Sequence, residues 1–126
     1  MKKFRILVVD DDRDLLRIVT RTLELEGYDA VPAADGKSAL ALFEERQPNL
    51  VVLDIMMPDM DGYEVLARIR ERSNVPVIML TAIKESDSLQ KSLGLGADDY
   101  VRKPFRTHEL LARIKTKLKR TTRGTP

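Results

Sequence analysis

The chain has 126 residues and a mass of 14.3 kDa, the length of one domain. At 43% hydrophobic and 33% charged it is too apolar for a disordered chain, and with 5% aromatic residues and no Trp its core must be aliphatic. It has no Cys, which excludes disulfides, thiol catalysis and thiolate metal sites, and its net charge of +2, from 22 basic and 20 acidic residues, singles out no partner.

Met1-Lys2-Lys3 ahead of Ile6-Leu7-Val8-Val9 has the outline of a signal peptide. The apolar run is too short for one, and Asp10-Asp11-Asp12 closes it without a small-residue cleavage site. No apolar stretch approaches the ~18 residues that a membrane span needs. A cytoplasmic location is the expectation.

Ile6-Leu7-Val8-Val9 is continuous and rich in β-branched residues, the pattern of a strand buried on both faces. Over residues 13–26, Leu15, Ile18, Val19, Thr22 and Leu23 share a predicted helical face, and Gly27 supplies the stop. Ala30-Val31-Pro32 predicts a short strand near an edge, because Pro cannot donate to a ladder on both sides. Asp35-Gly36 opens a helix with Ala39, Leu40 and Phe43 inward, ended by Pro48. Leu50-Val51-Val52-Leu53 is a second buried strand, and residues 62–72 form a helix through Val65, Leu66 and Ile69. A strand follows at 75–80, then a more polar helix at 86–95 and a short strand, Asp99-Tyr100-Val101. The last helix spans 107 to about 120, with Leu110, Leu111, Ile114 and Leu118 on one stripe. Beyond Thr121 there is no apolar content, so 121–126 is expected to be a flexible tail or the start of a linker, and 1–120 the domain.

Five strand–helix units in regular alternation imply a parallel sheet covered by helices on both faces. Right-handed crossovers leave few topologies, and a flavodoxin-like (βα)5 sandwich with strand order 2-1-3-4-5 is the expected α/β fold. Ligands of such sheets bind at the carboxyl ends of the strands. The first strand ends in Asp10-Asp11-Asp12, the third in Asp54, the fourth in Thr81-Ala82 and the fifth in Lys103-Pro104.

Acids, a hydroxyl and an ammonium therefore converge on one edge. Close carboxylates repel and raise one another's pKa, so a cation must compensate. Oxygen ligands without His or Cys select a hard ion, and Mg2+ suits a site offering few protein ligands. A carboxylate beside such an ion and a lysine can act as a nucleophile toward phosphorus. Each residue also has a plainer use. Asp12 serves equally well as the cap of the following helix, and Thr81 and Lys103 are individually commonplace at strand ends. Asp54 follows four apolar residues, a costly place for an unpartnered charge. His108, the only histidine, begins the last helix and is expected at the surface.

The runs Ile6-Leu7-Val8-Val9-Asp10-Asp11-Asp12 and Leu53-Asp54-Ile55-Met56-Met57-Pro58-Asp59-Met60-Asp61-Gly62, with Thr81-Ala82 and Lys103-Pro104-Phe105, resemble the receiver domains of two-component response regulators. The resemblance extends from about Arg5 to Leu118. It implies that Asp54 is the phosphorylated residue and Asp11 the direct Mg2+ ligand. Asp10 would act mostly through water, and the backbone carbonyl of Met56 would complete the protein ligands. It implies phosphate pairing by Lys103, a cis bond before Pro104, and a switch in which the Thr81 hydroxyl and the Tyr100 ring move together. Met56 and Ile83, two residues past Asp54 and Thr81, take positions that flank the path of attacking water. Both are apolar here, so slow self-dephosphorylation is expected.

The stretch from Gly94 to Lys115 is similar to the winged-helix class of response regulators. That similarity implies a phosphorylation-driven homodimer through the predicted 86–95 helix, the fifth strand and the last helix. Asp99 with Arg113 and Asp98 with Arg120 match its charge pairs, and Glu109 matches a third acid whose usual basic partner aligns with Leu89 here. A histidine kinase would be the phosphoryl donor. DNA would be reached only through a further C-terminal domain, since the basic tail here is short, lacks aromatic residues and has no second helix to enter a groove. The expected protein is a phospho-acceptor with at most weak self-phosphatase activity, not an enzyme.

Three other readings fit less well. A stand-alone receiver would act by protein contact alone. An aspartate-nucleophile phosphohydrolase needs a general acid two residues past the nucleophile, where Met56 stands. A flavodoxin-like cofactor binder needs a phosphate-cradling loop after the first strand, where three Asp stand instead. The near-neutral charge hides a polarity. Six of the 22 basic residues fall from Arg113 onward, with no acid among them, leaving 16 against 20 acidic residues before it.

Overall fold

The computed structural model describes residues 3–82, 94 and 96–123, with side chains through Lys119. The element order is β1 (Arg5–Val9), α1 (Arg13–Leu25), β2 (Asp29–Ala33), α2 (Gly36–Arg46), β3 (Leu50–Asp54), α3 (Gly62–Arg70), β4 (Val77–Thr81), β5 (Asp99–Arg102) and α4 (Thr107–Arg123). The helix expected at 86–95 lies outside the described residues, as does Ile83. The five strands form one parallel sheet in the order β2-β1-β3-β4-β5, as the alternation of elements predicts.

Alternate residues of each strand serve opposite layers. Leu7 and Val9 of β1 join Val51, Leu53 and Met79 under α2 and α3, through Ala39, Val65, Leu66 and Ile69. Ile6 and Val8 join Val52, Ile78 and Leu80 under α1 and α4, through Leu16, Val19, Leu23, Leu110, Ile114 and Leu118. The middle strands β3 and β4 are buried along their whole length, which is why they read as unbroken apolar runs. Pro32 sits in β2, an edge strand.

Some boundaries and faces differ from the sequence expectation. In α1 the buried stripe is Leu16, Val19 and Leu23, while Ile18 is 54% exposed. Leu16 and Val19 are three residues apart and Val19 and Leu23 four, the spacing of one face; Ile18 lies roughly 200° of helical turn from Leu16. β4 starts at Val77 rather than 75, and its last residue is Thr81 itself. α4 runs to Arg123, past the expected end near 120, because its first breaker is Gly124. No helix among the described residues is long and apolar enough to cross a membrane.

Candidate functional site

The parallel register brings four strand ends to one edge. Val9 and Leu53 are partners across β1 and β3, so Asp10 and Asp54 follow them as immediate neighbours. Asp54 in turn pairs with Leu80 and Thr81 with Arg102, which sets Thr81 one residue beyond Asp54 and Lys103 just past Thr81. The Lys103 N–H donates to the Thr81 carbonyl at 2.7 Å, and the Lys103–Pro104 peptide is cis. Asp10, Asp54 and Thr81 are the buried polar residues of the described chain, at 1%, 2% and 2% exposure.

The triple aspartate divides its labour. Asp12 is the N-cap of α1 and accepts from the backbone N–H groups of Asp14 and Leu15 at 3.1 and 3.2 Å. Asp10 turns inward, and its Oδ1 accepts the Asp12 N–H at 2.9 Å. Asp11 is exposed at the rim, yet carboxylate oxygens of Asp10, Asp11 and Asp54 lie within 4.8 Å of one another.

Lys103 is the cation drawn into this group. Its Nζ stands 2.9 Å from Asp10 Oδ2 and 3.4 Å from Asp54 Oδ1. Burial works against the ammonium, but the two carboxylates outweigh it and its pKa is raised. Burial, reinforced by the charge on Asp10, pushes the Asp54 carboxyl up from 3.8 to about 7. One ammonium facing three carboxylates leaves the site short of positive charge. Asp10 Oδ2, although ion-paired, has no hydrogen-bond donor aligned on it. An all-oxygen donor set with more carboxylates than cations fits a hard divalent cation such as Mg2+.

The loop after β3 is shaped by close packing. A Cβ on Gly62 would lie 2.2 Å from the Asp54 carbonyl oxygen, so no other residue fits, and the Gly62 N–H donates to the Ile55 carbonyl at 2.8 Å. Ile55 and Met57 turn into the core, which leaves Met56 outward at 59% exposure beside Asp54. Tyr100 is half-buried opposite Met79 and packs on the α2–α3 side of the sheet.

The charges expected on a dimer face are paired within the chain. Arg113 Nη1 donates to both carboxylate oxygens of Asp99 at 2.8 and 2.9 Å, and its other terminal nitrogen lies 3.9 Å from Glu109. Asp98 is held by Arg70, a residue that sequence reasoning did not single out. Its partner lies 28 residues along the chain, and Arg70 reads from sequence as one more surface charge of α3. The side chain of Arg120 is outside the described set, and His108 is exposed.

The chain belongs to the response regulator receiver domain family, which matches residues 6–115. It is 50% identical over 120 residues to a probable transcriptional regulator of Porphyridium aerugineum, covering 95% of this chain and 50% of that protein. It is 47% identical over 116 residues to the regulatory protein VanRc of Enterococcus gallinarum, covering 92% and 50%. This chain thus spans about half the length of the curated relatives it matches. A solved CheY-like receiver domain protein of Methanospirillum hungatei superposes with a TM-score of 0.92 at 37% identity, covering 97% of this chain and 98% of that one.

Proposed function

We propose that the chain is a phospho-accepting switch that takes a phosphoryl group from a histidine kinase onto Asp54. The observation that carries this reading is one ammonium, Lys103, poised against two buried carboxylates at adjacent strand ends. An Asp54 oxygen attacks phosphorus while the N–P bond of the donor phosphohistidine breaks. The bonding electrons leave with the imidazole nitrogen, which takes up a proton, and the product is an aspartyl phosphate. Lys103 favours the charged form of the Asp54 carboxylate, against the burial that raises its pKa, and then pairs with a phosphoryl oxygen. The Thr81 hydroxyl, buried one residue beyond Asp54, donates to another.

Asp11, Asp54 and the Met56 carbonyl would hold Mg2+ directly, with Asp10 reaching it through water. When bound, the ion supplies the positive charge the site lacks and steadies the phosphoryl oxygens. Met56 stands beside Asp54 with an apolar side chain that cannot orient a water toward phosphorus, so the acyl phosphate is long-lived.

Contacts made by Thr81 only in the phosphorylated state bias a two-state change in which Tyr100 moves inward. The face carrying Asp98, Asp99, Glu109 and Arg113 then forms a two-fold homodimer, which controls an attached output domain acting on DNA. The transcriptional regulators among the relatives support that output. Beryllofluoride with Mg2+, a phosphoryl mimic, tests the reading by light scattering. Dimerisation that is lost in Asp54→Asn supports it. Binding of the mimic without dimerisation sinks the dimer reading, and no binding sinks the switch.

A further inference from the structure

Arg70 closes α3 and is the most heavily bonded guanidinium described. Its Nε donates to the Gly96 carbonyl at 2.8 Å, Nη1 to the carbonyls of Ser73 and Val75 at 3.2 and 2.7 Å, and Nη2 to Asp98 Oδ2 at 2.9 Å. The same Asp98 oxygen accepts the Val77 N–H at 2.8 Å. Gly96 has a φ of +98°, and a Cβ there would come within 3.0 Å of Arg70 Nε. The Arg70 side chain is 17% exposed and Asp98 41%. The guanidinium therefore ties the end of α3, the start of β4 and the turn before β5 into one knot. Asp98 is the member whose charged side chain reaches solvent.

We propose that Arg70 is a latch on the interaction face. It keeps Asp98 committed within the chain, so that a second copy's cation must compete with Arg70 for a carboxylate already fixed and neutralised. This rests on the dimer reading above. Three features favour withholding over presentation. The guanidinium already neutralises the carboxylate. Two donors converge on one oxygen and fix the rotamer. The remaining ties of Arg70 are to backbone carbonyls, which keep the guanidinium in place whether or not Asp98 stays. The latch thus resists pairing without being consumed by it. A two-fold interface contains it twice, so its effect on dimerisation is doubled.

The test is sedimentation equilibrium of the full chain with Mg2+ and beryllofluoride. It compares wild type, Arg70→Gln, Asp98→Asn and the double variant, with melting curves to establish that each is folded. Two exposed ion pairs released per dimer predict that Arg70→Gln tightens the dimer on the order of fivefold. In the Asp98→Asn background the same change should have no effect. Arg70→Lys, which keeps a charge but loses the fork of hydrogen bonds, should tighten the dimer by less than Arg70→Gln and covers the case in which Arg70→Gln does not fold. An unchanged or weaker dimer in Arg70→Gln, or the same gain without Asp98, overturns the latch while leaving the dimer reading intact. Absence of a wild-type dimer with the mimic bound removes both.

Discussion

Lys103 and Asp10 form a 2.9 Å ion pair although their strands, β5 and β1, are separated by β3 and β4. The lysine reaches across because Asp10 is 1% exposed and no closer cation serves it among the described residues. Removing the lysine strands buried negative charge. Lys103→Ala should therefore destabilise the metal-free protein by about 1–3 kcal/mol at neutral pH, less than a fully buried pair would lose. Part of that loss should return on adding Mg2+. Chemical denaturation with and without Mg2+ measures both, and an undiminished stability in Lys103→Ala would contradict the charge accounting.

The raised pKa of Asp54 has a defined consequence for stability. Unfolded, this carboxyl titrates near 3.8; folded and without metal it holds its proton to about 7. Between these values the folded state binds more protons, so stability falls as pH rises through the window and the full penalty stands above it. Asp54→Asn should thus be more stable than wild type by about 1–3 kcal/mol at pH 8, with the difference gone by about pH 4. Melting curves in a chelator across that range measure it. A difference that grows toward acid would reverse the sign and refute the argument.

Gly62 offers the sharpest steric prediction. With a Cβ only 2.2 Å from the Asp54 carbonyl oxygen, Gly62→Ala must displace the backbone that carries the acceptor. A loss of about 3 kcal/mol or more is expected from overpacking against rigid main chain. Denaturation midpoints read it directly, and a neutral substitution would mean that the loop yields more easily than its packing implies.

The lifetime of the acyl phosphate follows from Met56, which projects to solvent beside the acceptor. A polar side chain there can orient a water toward phosphorus. Met56→Asn should shorten the lifetime several-fold, because the added carboxamide can hydrogen-bond and position the attacking water. Following the decay of phosphorylated protein settles it, and equal lifetimes would remove Met56 from the account.

Much of this architecture is legible in the sequence for a simple reason. A strand buried on both faces must be an unbroken apolar run, and its first polar residue is then pinned to the sheet edge. Asp10, Asp54 and Thr81 declare themselves in this way, and parallel pairing forces them together. The helical faces are less distinct. Leu15, Leu16, Ile18 and Val19 crowd one turn of α1, and only packing selects Leu16 over Ile18 as the buried residue. Leu16→Ala should cost about 2–4 kcal/mol while Ile18→Ser stays within about 0.5 kcal/mol, which denaturation of the two variants checks. Least legible is Arg70. Its partners are backbone carbonyls and a carboxylate far along the chain, and nothing in local periodicity points to such contacts.

The most direct test of the central claim is to find where a phosphoryl group goes. Purified protein is incubated with Mg2+ and a small phosphoramidate, which has the donor's N–P bond, and the product is mapped by peptide mass spectrometry. The account predicts one phosphoryl group per chain, on Asp54, needing Mg2+ and absent from Asp54→Asn and strongly reduced in Asp11→Asn. Modification of another residue, or none in folded wild-type protein, would contradict it.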